Sequence, residues 1–246
     1  MPLTVPGAGV DLEAHVVGEG PSVLLVHDMA DGPERMMRLA AQLAEPVRAI
    51  AYARRGYRGS GAPEPYAGTT VAEQAEDAAS LIGAFGAAGA IALGEGFGAL
   101  ILLDLLLRHP GLVASAVLVD PPLYAFAPES TRELAGERGE MQDAIAAGGP
   151  QGGVARWLRD RPGRDEELAQ RDHHAFYADY AGLATLPLTR ADLRGIAEPL
   201  VLLTGPQSTR AALLAAEGVS SLLPGALRRE DCDRAGALER LRAVAT

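Results

Sequence analysis

The sequence predicts an α/β fold with a mostly parallel central sheet, helices on both faces and one helical insertion. Along most of the chain, short apolar runs bounded by Gly, Pro or Asp alternate with longer amphipathic segments. Such runs are typical of strands buried on both faces, and their alternation with helices indicates a parallel sheet. The alternation stops between Asp120 and Pro199, where charged helical segments follow one another.

Seven strands and five helices are predicted outside this interruption. Pro33 suits a first helical turn, and Thr70 with Glu73 has capping-box spacing. The predicted strands are Val10–Val17, Val23–His27, Val47–Ala53, Ala90–Gly94, Ala116–Asp120, Leu200–Gly205 and Val219–Leu223. The predicted helices are Pro33–Glu45, Thr70–Phe85, Phe97–Arg108, Thr209–Glu217 and Arg234–Ala245.

The interruption is predicted to be a lid. Its helical segments are Glu129–Ala147, Gly153–Asp160 and Asp165–Leu183, separated by Gly148-Gly149-Pro150 and Arg161-Pro162-Gly163. Ligands of parallel sheets bind at the carboxyl ends of the strands, and an insertion after the strand ending at Asp120 lies there. We therefore expect a core of residues 1–120 and 196–246 and a lid of residues 121–195.

Composition excludes several classes of function. All 22 basic residues of the 246 are arginine, so Schiff-base, pyridoxal and phosphate-loop chemistry, which need lysine, are excluded. The single cysteine excludes an internal disulfide and a multi-cysteine metal site. The net charge of −10 argues against nucleic acid. No signal peptide or membrane span is recognisable, so we expect a cytoplasmic protein that does not bind membranes and whose oligomeric state is open.

The most informative segment joins an apolar strand to a helix through three alternating glycines, Gly94, Gly96 and Gly98. Their spacing is Gly-x-Gly-x-Gly, whereas dinucleotide loops have Gly-x-Gly-x-x-Gly, and two strands precede this unit. We therefore expect no nucleotide, no other cofactor and no metal.

Gly94-Glu95-Gly96-Phe97-Gly98 resembles the nucleophile elbow Gly-x-Ser-x-Gly of the α/β-hydrolase superfamily. Val23–Met29 is similar to that family's strand and His-Gly turn, and Tyr52–Ser60 to its arginine–glycine loop. Leu118–Pro122 and Leu200–Gly205 resemble the later strands of the fold. The resemblance implies the α/β-hydrolase fold for nearly the whole chain outside the lid.

The resemblance also implies an oxyanion hole formed by the backbone amides of Met29 and Phe97. Such amides do not depend on side chains, and the Phe97 amide lies at a helix N-terminus, which favours negative charge.

The positions that normally carry the catalytic triad hold other residues. Gly96 stands at the serine position, and Pro206 and Gln207 stand where the acid normally follows. Asp231 and Cys232 lie in the loop that normally carries the histidine, and no histidine follows His174. Because a serine hydrolase needs nucleophile, base and orienting acid in contact, we expect no conventional serine hydrolase.

Three side chains are candidates for acid–base chemistry. Glu95 precedes the elbow position and can act on a substrate, or pair with an arginine such as Arg54 or Arg55. Asp28 lies beside the Met29 amide and can orient a substrate hydroxyl, or accept backbone amides of its own turn. His174 on the lid can replace the missing base, or lie exposed.

Four further residues are candidates for substrate contact. His27 ends a strand beside the oxyanion turn, where a buried scaffold role is the alternative. Trp157, His173 and Tyr177 belong to the lid, whose apolar face is the alternative place for the aromatic rings. Adjacent helical residues such as His173 and His174 point about 100° apart, so they do not form one metal site.

These residues lead to three functional hypotheses. The first is a non-covalent enzyme of lyase, isomerase or cyclase type that acts on a small carbonyl-bearing substrate, such as a specialised metabolite, through the oxyanion hole and acid–base side chains. The first alternative is a non-catalytic small-molecule-binding protein that keeps the pocket. The second alternative is a hydrolase with a relocated nucleophile or an activated water.

Overall fold

The computed structural model describes residues 2–43, 46–223, 226–229 and 233–245. In these residues the strands are β1 (Leu3–Pro6), β2 (Asp11–Val17), β3 (Ser22–Val26), β4 (Arg48–Tyr52), β5 (Ala90–Glu95), β6 (Val113–Val119), β7 (Leu200–Leu203) and β8 (Ala226–Arg229). They form one sheet of order β1-β2-β4-β3-β5-β6-β7-β8. The two pairs that involve β2 are antiparallel and the remaining pairs are parallel, so the mostly parallel sheet is confirmed.

The described helices are α1 (Pro33–Ala40), α2 (Val71–Ala84), α3 (Phe97–Arg108), α4 (Pro128–Arg159), α5 (Glu166–Arg171), α6 (His173–Gly182), α7 (Arg190–Gly195), α8 (Arg210–Ser220) and α9 (Arg234–Ala245), with a short 3₁₀ turn at Tyr124–Phe126. Alternate side chains of each central strand point to opposite faces of the sheet. Val23 and Leu25 of β3 share a core cluster with residues of α1 and α9, whereas Leu24 and Val26 pack with those of α2, α3 and α8. Helices therefore cover both faces, as predicted.

Four helices, α4 to α7, lie between β6 and β7 in the described chain. Helix α4 is broken at Gly149, whose φ of 69° and ψ of −169° are not helical, and Pro150 follows directly. The predicted separator at Gly148–Pro150 is therefore a break within one long helical unit. The loop between α4 and α5 carries Arg161–Arg164. None of the helices in the described ranges combines the length and apolarity needed to span a membrane.

The prediction of a strand at Val219–Leu223 is wrong. Val219 lies in the last turn of α8, and Leu222 and Leu223 follow in a buried turn, because a short apolar run fits a helix end as well as a strand. The last described strand is β8, which begins at Ala226. The short edge strand β1, only four residues long, was not predicted either.

Candidate functional site

The candidate site lies at the carboxyl ends of β3, β5, β6 and β7, where the elbow between β5 and α3 forms its floor. Gly96 has φ of 50° and ψ of −114°, a backbone conformation that side-chain-bearing residues rarely adopt. The amide of Phe97, the first helical residue, points out of the end of α3 beside the turn that follows β3.

The carboxylate of Asp28 accepts hydrogen bonds from the two backbone amides of the expected oxyanion hole. Its Oδ1 accepts hydrogen bonds from the amides of Met29 and Phe97, both at 2.8 Å. Its Oδ2 accepts a hydrogen bond of 2.7 Å from Nη2 of Arg164. In this arrangement the amides that were expected to face a substrate donate to the chain's own carboxylate.

The same carboxylate fills the space of a side chain at position 96. A Cβ atom added to Gly96 would lie 2.0 Å from Oδ1 of Asp28, 2.1 Å from its Cγ and 2.4 Å from its Oδ2. These separations are far shorter than a van der Waals contact between heavy atoms, which is about 3.5 Å. The position of Asp28 and a side chain at residue 96 therefore exclude each other.

Arg164 reaches this carboxylate from the loop between α4 and α5. Its guanidinium also donates to the Met29 carbonyl at 2.9 Å and to Oδ2 of Asp31 at 3.0 Å, and it lies 4.9 Å from the centre of the Trp157 ring. Asp31 is buried, and burial raises its pKa to about 6, although Arg164 and Arg35 act in the opposite direction. One lid arginine thus joins the turn after β3 to the lid.

Glu95 is held by two arginines beneath the cavity. It is buried, and its carboxylate accepts a hydrogen bond of 3.0 Å from Nε of Arg35 and another from Arg234. The alternative predicted for Glu95 was an ion pair with Arg54 or Arg55. Glu95 does form ion pairs, but with Arg35 and Arg234. Arg54 and Arg55 instead pair with Asp179 and Asp77. Glu95 is not among the residues that line the cavity.

A cavity of about 540 Å³ lies between the elbow and the lid. Its walls come from the turn after β3, the elbow, the ends of β6 and β7, the start of α9 and the lid. Aromatic rings of Phe97, Tyr124, Trp157 and Tyr180 face it together with arginines and carboxylates. A cavity of this size with mixed apolar and polar walls is typical of a small-molecule site.

Asp120 lines this cavity at the end of β6. Its Oδ1 accepts a hydrogen bond of 2.6 Å from the Ser208 hydroxyl, which in turn accepts one of 2.8 Å from the Gly205 amide. Burial raises the pKa of Asp120, while Ser208 and Arg234 act to lower it. Among the side chains that the structure describes, Ser208 is the one that donates to this carboxylate.

Comparison with known proteins decides the family. The profile of the alpha/beta hydrolase family matches residues 23–242, which is most of the chain. The chain belongs to the alpha/beta hydrolase family. An uncharacterized hydrolase, YraK of Bacillus subtilis, is 33% identical over 121 residues, which are 49% of this chain and 44% of that protein, so the match spans less than half of the relative.

Solved structures agree with this family's fold. An alpha/beta hydrolase from Sphaerobacter thermophilus has a TM-score of 0.72 and 20% identity, and the match covers 99% of both chains. An esterase from Exiguobacterium antarcticum has a TM-score of 0.77 and 17% identity, and the match covers 100% of this chain and 99% of the esterase. At these identities the likeness shows the fold alone.

His27, a candidate for substrate contact, lies away from the cavity of this family member. It is fully buried, with Nδ1 2.7 Å from the Asp28 carbonyl oxygen and Nε2 accepting from the Arg54 amide at 3.0 Å. Burial, reinforced by Arg54, lowers its pKa well below the usual value. Both ring nitrogens are engaged by backbone groups, and His27 is not among the residues that line the cavity.

The lid residues divide between the cavity and the surface. Trp157 lines the cavity, but His173, His174 and Tyr177 do not. His174 is exposed, and Nδ1 of His173 lies 3.0 Å from the Gln170 carbonyl oxygen. The Tyr177 hydroxyl donates to the Pro150 carbonyl at 2.7 Å and so bridges α6 to the break in α4. The expectation that His174 reaches the cleft as a base is therefore not met by its position.

The positions that correspond to the family's acid and histidine are only partly described. Pro206 and Gln207 line the cavity at the end of β7. Asp231 and Cys232 lie outside the described residues. Arg164, Arg35 and Arg234 could not be predicted as site residues, because each contacts its partner across the fold and no local motif marks it.

Proposed function

We propose that this alpha/beta hydrolase family member binds a small molecule in the cavity under its lid and does not form an acyl-enzyme. It would be a pseudo-hydrolase, in which the pocket of the fold is kept and the covalent chemistry is not. The observation that carries the proposal is the carboxylate of Asp28, which sits on the Met29 and Phe97 amides and in the volume of a side chain at residue 96.

This arrangement disfavours acyl transfer at two steps. A nucleophilic side chain at residue 96 is replaced by hydrogen, and the volume that it would need is filled by a carboxylate that also repels an approaching anion. The two amides that would stabilise a tetrahedral oxyanion already donate to Oδ1 of Asp28. Removal of one oxyanion donor typically costs 10²–10³ in turnover, so engagement of both would remove most of that stabilisation.

The cavity itself supports binding. Its volume of about 540 Å³ accommodates a molecule of drug size, and its aromatic walls supply apolar contact. Most charged groups around it are paired with each other, which lowers the cost of covering them with an apolar ligand.

A fluorescence titration tests this proposal, because Trp157 is the single tryptophan of the chain and lines the cavity. We expect the neutral fluorophore N-phenyl-1-naphthylamine to bind saturably with one site and to quench Trp157. The cavity-lining substitution Gly205→Phe should weaken binding at least tenfold. The matched substitution Gly68→Phe, at an exposed glycine whose added Cβ also meets open space, should leave binding unchanged.

The same protein is then tested for hydrolysis. We expect no covalent labelling by a fluorophosphonate and no turnover of p-nitrophenyl butyrate above the buffer rate. Stoichiometric labelling would contradict the proposal, as would fluorophore binding that is equally strong in Gly205→Phe and Gly68→Phe.

A non-covalent enzyme that acts on a carbonyl-bearing substrate is the second candidate, and Asp120 is the observation that favours it. This carboxyl group lines the cavity and burial raises its pKa, as a general acid requires. Incubation with a metabolite extract, followed by mass spectrometry, separates this candidate from the first. An enzyme converts a compound with wild-type protein and not with Asp120→Asn, whereas a binding protein enriches a compound without converting it.

A further inference from the structure

The charged groups around the cavity form a closed network with one exception. Arg35, Arg164 and Arg234 face Asp28, Asp31 and Glu95, three cations against three anions. The contacts are Arg164 to Asp28 at 2.7 Å and to Asp31 at 3.0 Å, Arg35 to Asp31 at 3.3 Å and to Glu95 at 3.0 Å, and Arg234 to Glu95. Each guanidinium in this network already has a carboxylate partner.

The other charged groups that line the cavity are Arg161, Glu137, Asp233 and Asp120. Arg161 pairs with Glu137 at 2.9 Å and lies over the Trp157 ring, 4.2 Å from its centre. Asp233 is exposed, and its Oδ1 accepts from the Gly236 amide at the start of α9. Within the described ranges, Asp120 therefore remains as the half-buried cavity carboxylate that has no ion-pair partner, whereas Asp233 is exposed.

Asp120 is also held in a fixed position. Its amide donates to the Leu203 carbonyl at 3.1 Å, and its φ of 47° is a left-handed conformation that aspartate tolerates better than most residues. The Ser208 hydroxyl has one proton, and because it accepts from the Gly205 amide, that proton is committed to Oδ1 of Asp120. An ionised carboxylate has about four acceptor sites, so one hydroxyl leaves most of its capacity open to the cavity.

We propose that Asp120 recognises a protonated amine on the ligand, whose apolar body packs against the aromatic walls of the lid. This inference rests on the proposed binding function and names the chemical class of the ligand. An ammonium group supplies the counter-charge that Asp120 lacks, and its N–H groups can use the open lone pairs. A carboxylate ligand would meet Asp120 and Asp28 with like charge, while the arginines that could attract it are already paired.

Three probes of equal size test this choice at pH 7 by titration of Trp157 fluorescence: benzylamine, benzyl alcohol and benzoate. In the wild type we expect benzylamine to bind most tightly and benzoate most weakly. Asp120→Asn should weaken benzylamine about tenfold, since it removes a charge-assisted hydrogen bond, and should change benzyl alcohol less than threefold. Ser208→Ala should weaken benzylamine about two- to threefold, because the carboxylate remains but loses its anchor.

Asp143→Asn is the matched control, since it removes the same charge at an exposed position of α4 that does not line the cavity, and it should change benzylamine binding less than twofold. Melting temperatures within a few degrees of wild type establish that each variant is folded. Tighter binding of benzoate than of benzylamine would overturn the inference, and so would equal losses in Asp120→Asn and Asp143→Asn, while the binding function would stand. Absence of saturable binding by any of these probes and by N-phenyl-1-naphthylamine would overturn both.

Discussion

Replacement of Gly96 by alanine tests whether Asp28 really excludes a side chain at the elbow. The added Cβ would lie 2.0–2.4 Å from three atoms of the Asp28 carboxylate, so the carboxylate must leave. It would then lose hydrogen bonds from two amides and one guanidinium, each worth about 1.5–3 kcal/mol for a charged partner, and part of this is recovered in water. Alanine at φ of 50° adds backbone strain of about 1–3 kcal/mol.

We therefore expect Gly96→Ala to lower the free energy of unfolding by about 3–6 kcal/mol, a large part of the stability of a typical domain. Urea unfolding followed by circular dichroism and by Trp157 fluorescence measures this loss. Gly83→Ala is the matched control, because Gly83 lies inside α2 with open space around its added Cβ, and it should raise stability by up to about 1 kcal/mol.

A double-mutant cycle identifies the cause. In a protein that already carries Asp28→Gly, the carboxylate is absent, and Gly96→Ala should cost only its backbone strain, about 1–3 kcal/mol. The two substitutions should therefore be coupled by at least about 2 kcal/mol. Equal costs of Gly96→Ala with and without Asp28 would refute the reasoning, since they would show that the carboxylate does not compete with the Cβ atom.

Three further substitutions probe the network around the site. Asp31→Asn removes a buried carboxyl whose pKa is raised to about 6, so between about pH 4 and 6 the folded state binds this proton more tightly than the unfolded state does. In urea titrations, the free energy of unfolding of wild type minus that of the variant should therefore fall by up to about 3 kcal/mol as the pH rises from 4 to 7. A difference that rises with pH would contradict this sign. Asp179→Asn leaves the buried Arg54 without its counter-ion and should cost about 3–5 kcal/mol in the same assay, whereas a loss below 1 kcal/mol would show that the pair is dispensable. Arg164→Gln removes the cation that joins the lid loop to Asp28 and should make that loop several-fold more susceptible under native conditions to proteinase K, which does not require an arginine, with an unchanged cleavage rate as the opposing result.

The sheet and its helices were predictable because their signals are local. Continuous apolar runs such as Val23–Val26 identify central strands, and Thr70 with Glu73 forms the predicted capping box at the start of α2. The failures occurred where local pattern is ambiguous. The apolar residues near Val219 end a helix in the structure, and β1 is too short and too exposed to produce a strong signal.

The position of the elbow could be predicted from its glycines, but the acceptor of the hydrogen bonds from its backbone amides could not. Whether Asp28 turns towards Met29 and Phe97 depends on free volume at residue 96 and on a guanidinium 136 residues away. Amide binding by Asp28 within its own turn was one of its predicted roles and corresponds to the hydrogen bond from Met29, but the hydrogen bond from Phe97 joins the ends of two different strands. Likewise, Glu95 was expected near arginines, and its partners Arg35 and Arg234 are distant in sequence.

These contacts make the glycine at the elbow and the aspartate after β3 two parts of one arrangement. Backbone N–H groups at a helix N-terminus that are sheltered from water need an acceptor, and in a hydrolase cycle that acceptor is the substrate oxygen. In this structure Oδ1 of Asp28 is that acceptor, and it reaches the amides only because residue 96 has no side chain. A serine at residue 96 would displace the Asp28 carboxylate from the two amides and leave Arg164 without this partner beside the buried Asp31. Acyl chemistry at this elbow would require a hydroxyl at residue 96, displacement of the Asp28 carboxylate from the amides, and a base within reach of the hydroxyl.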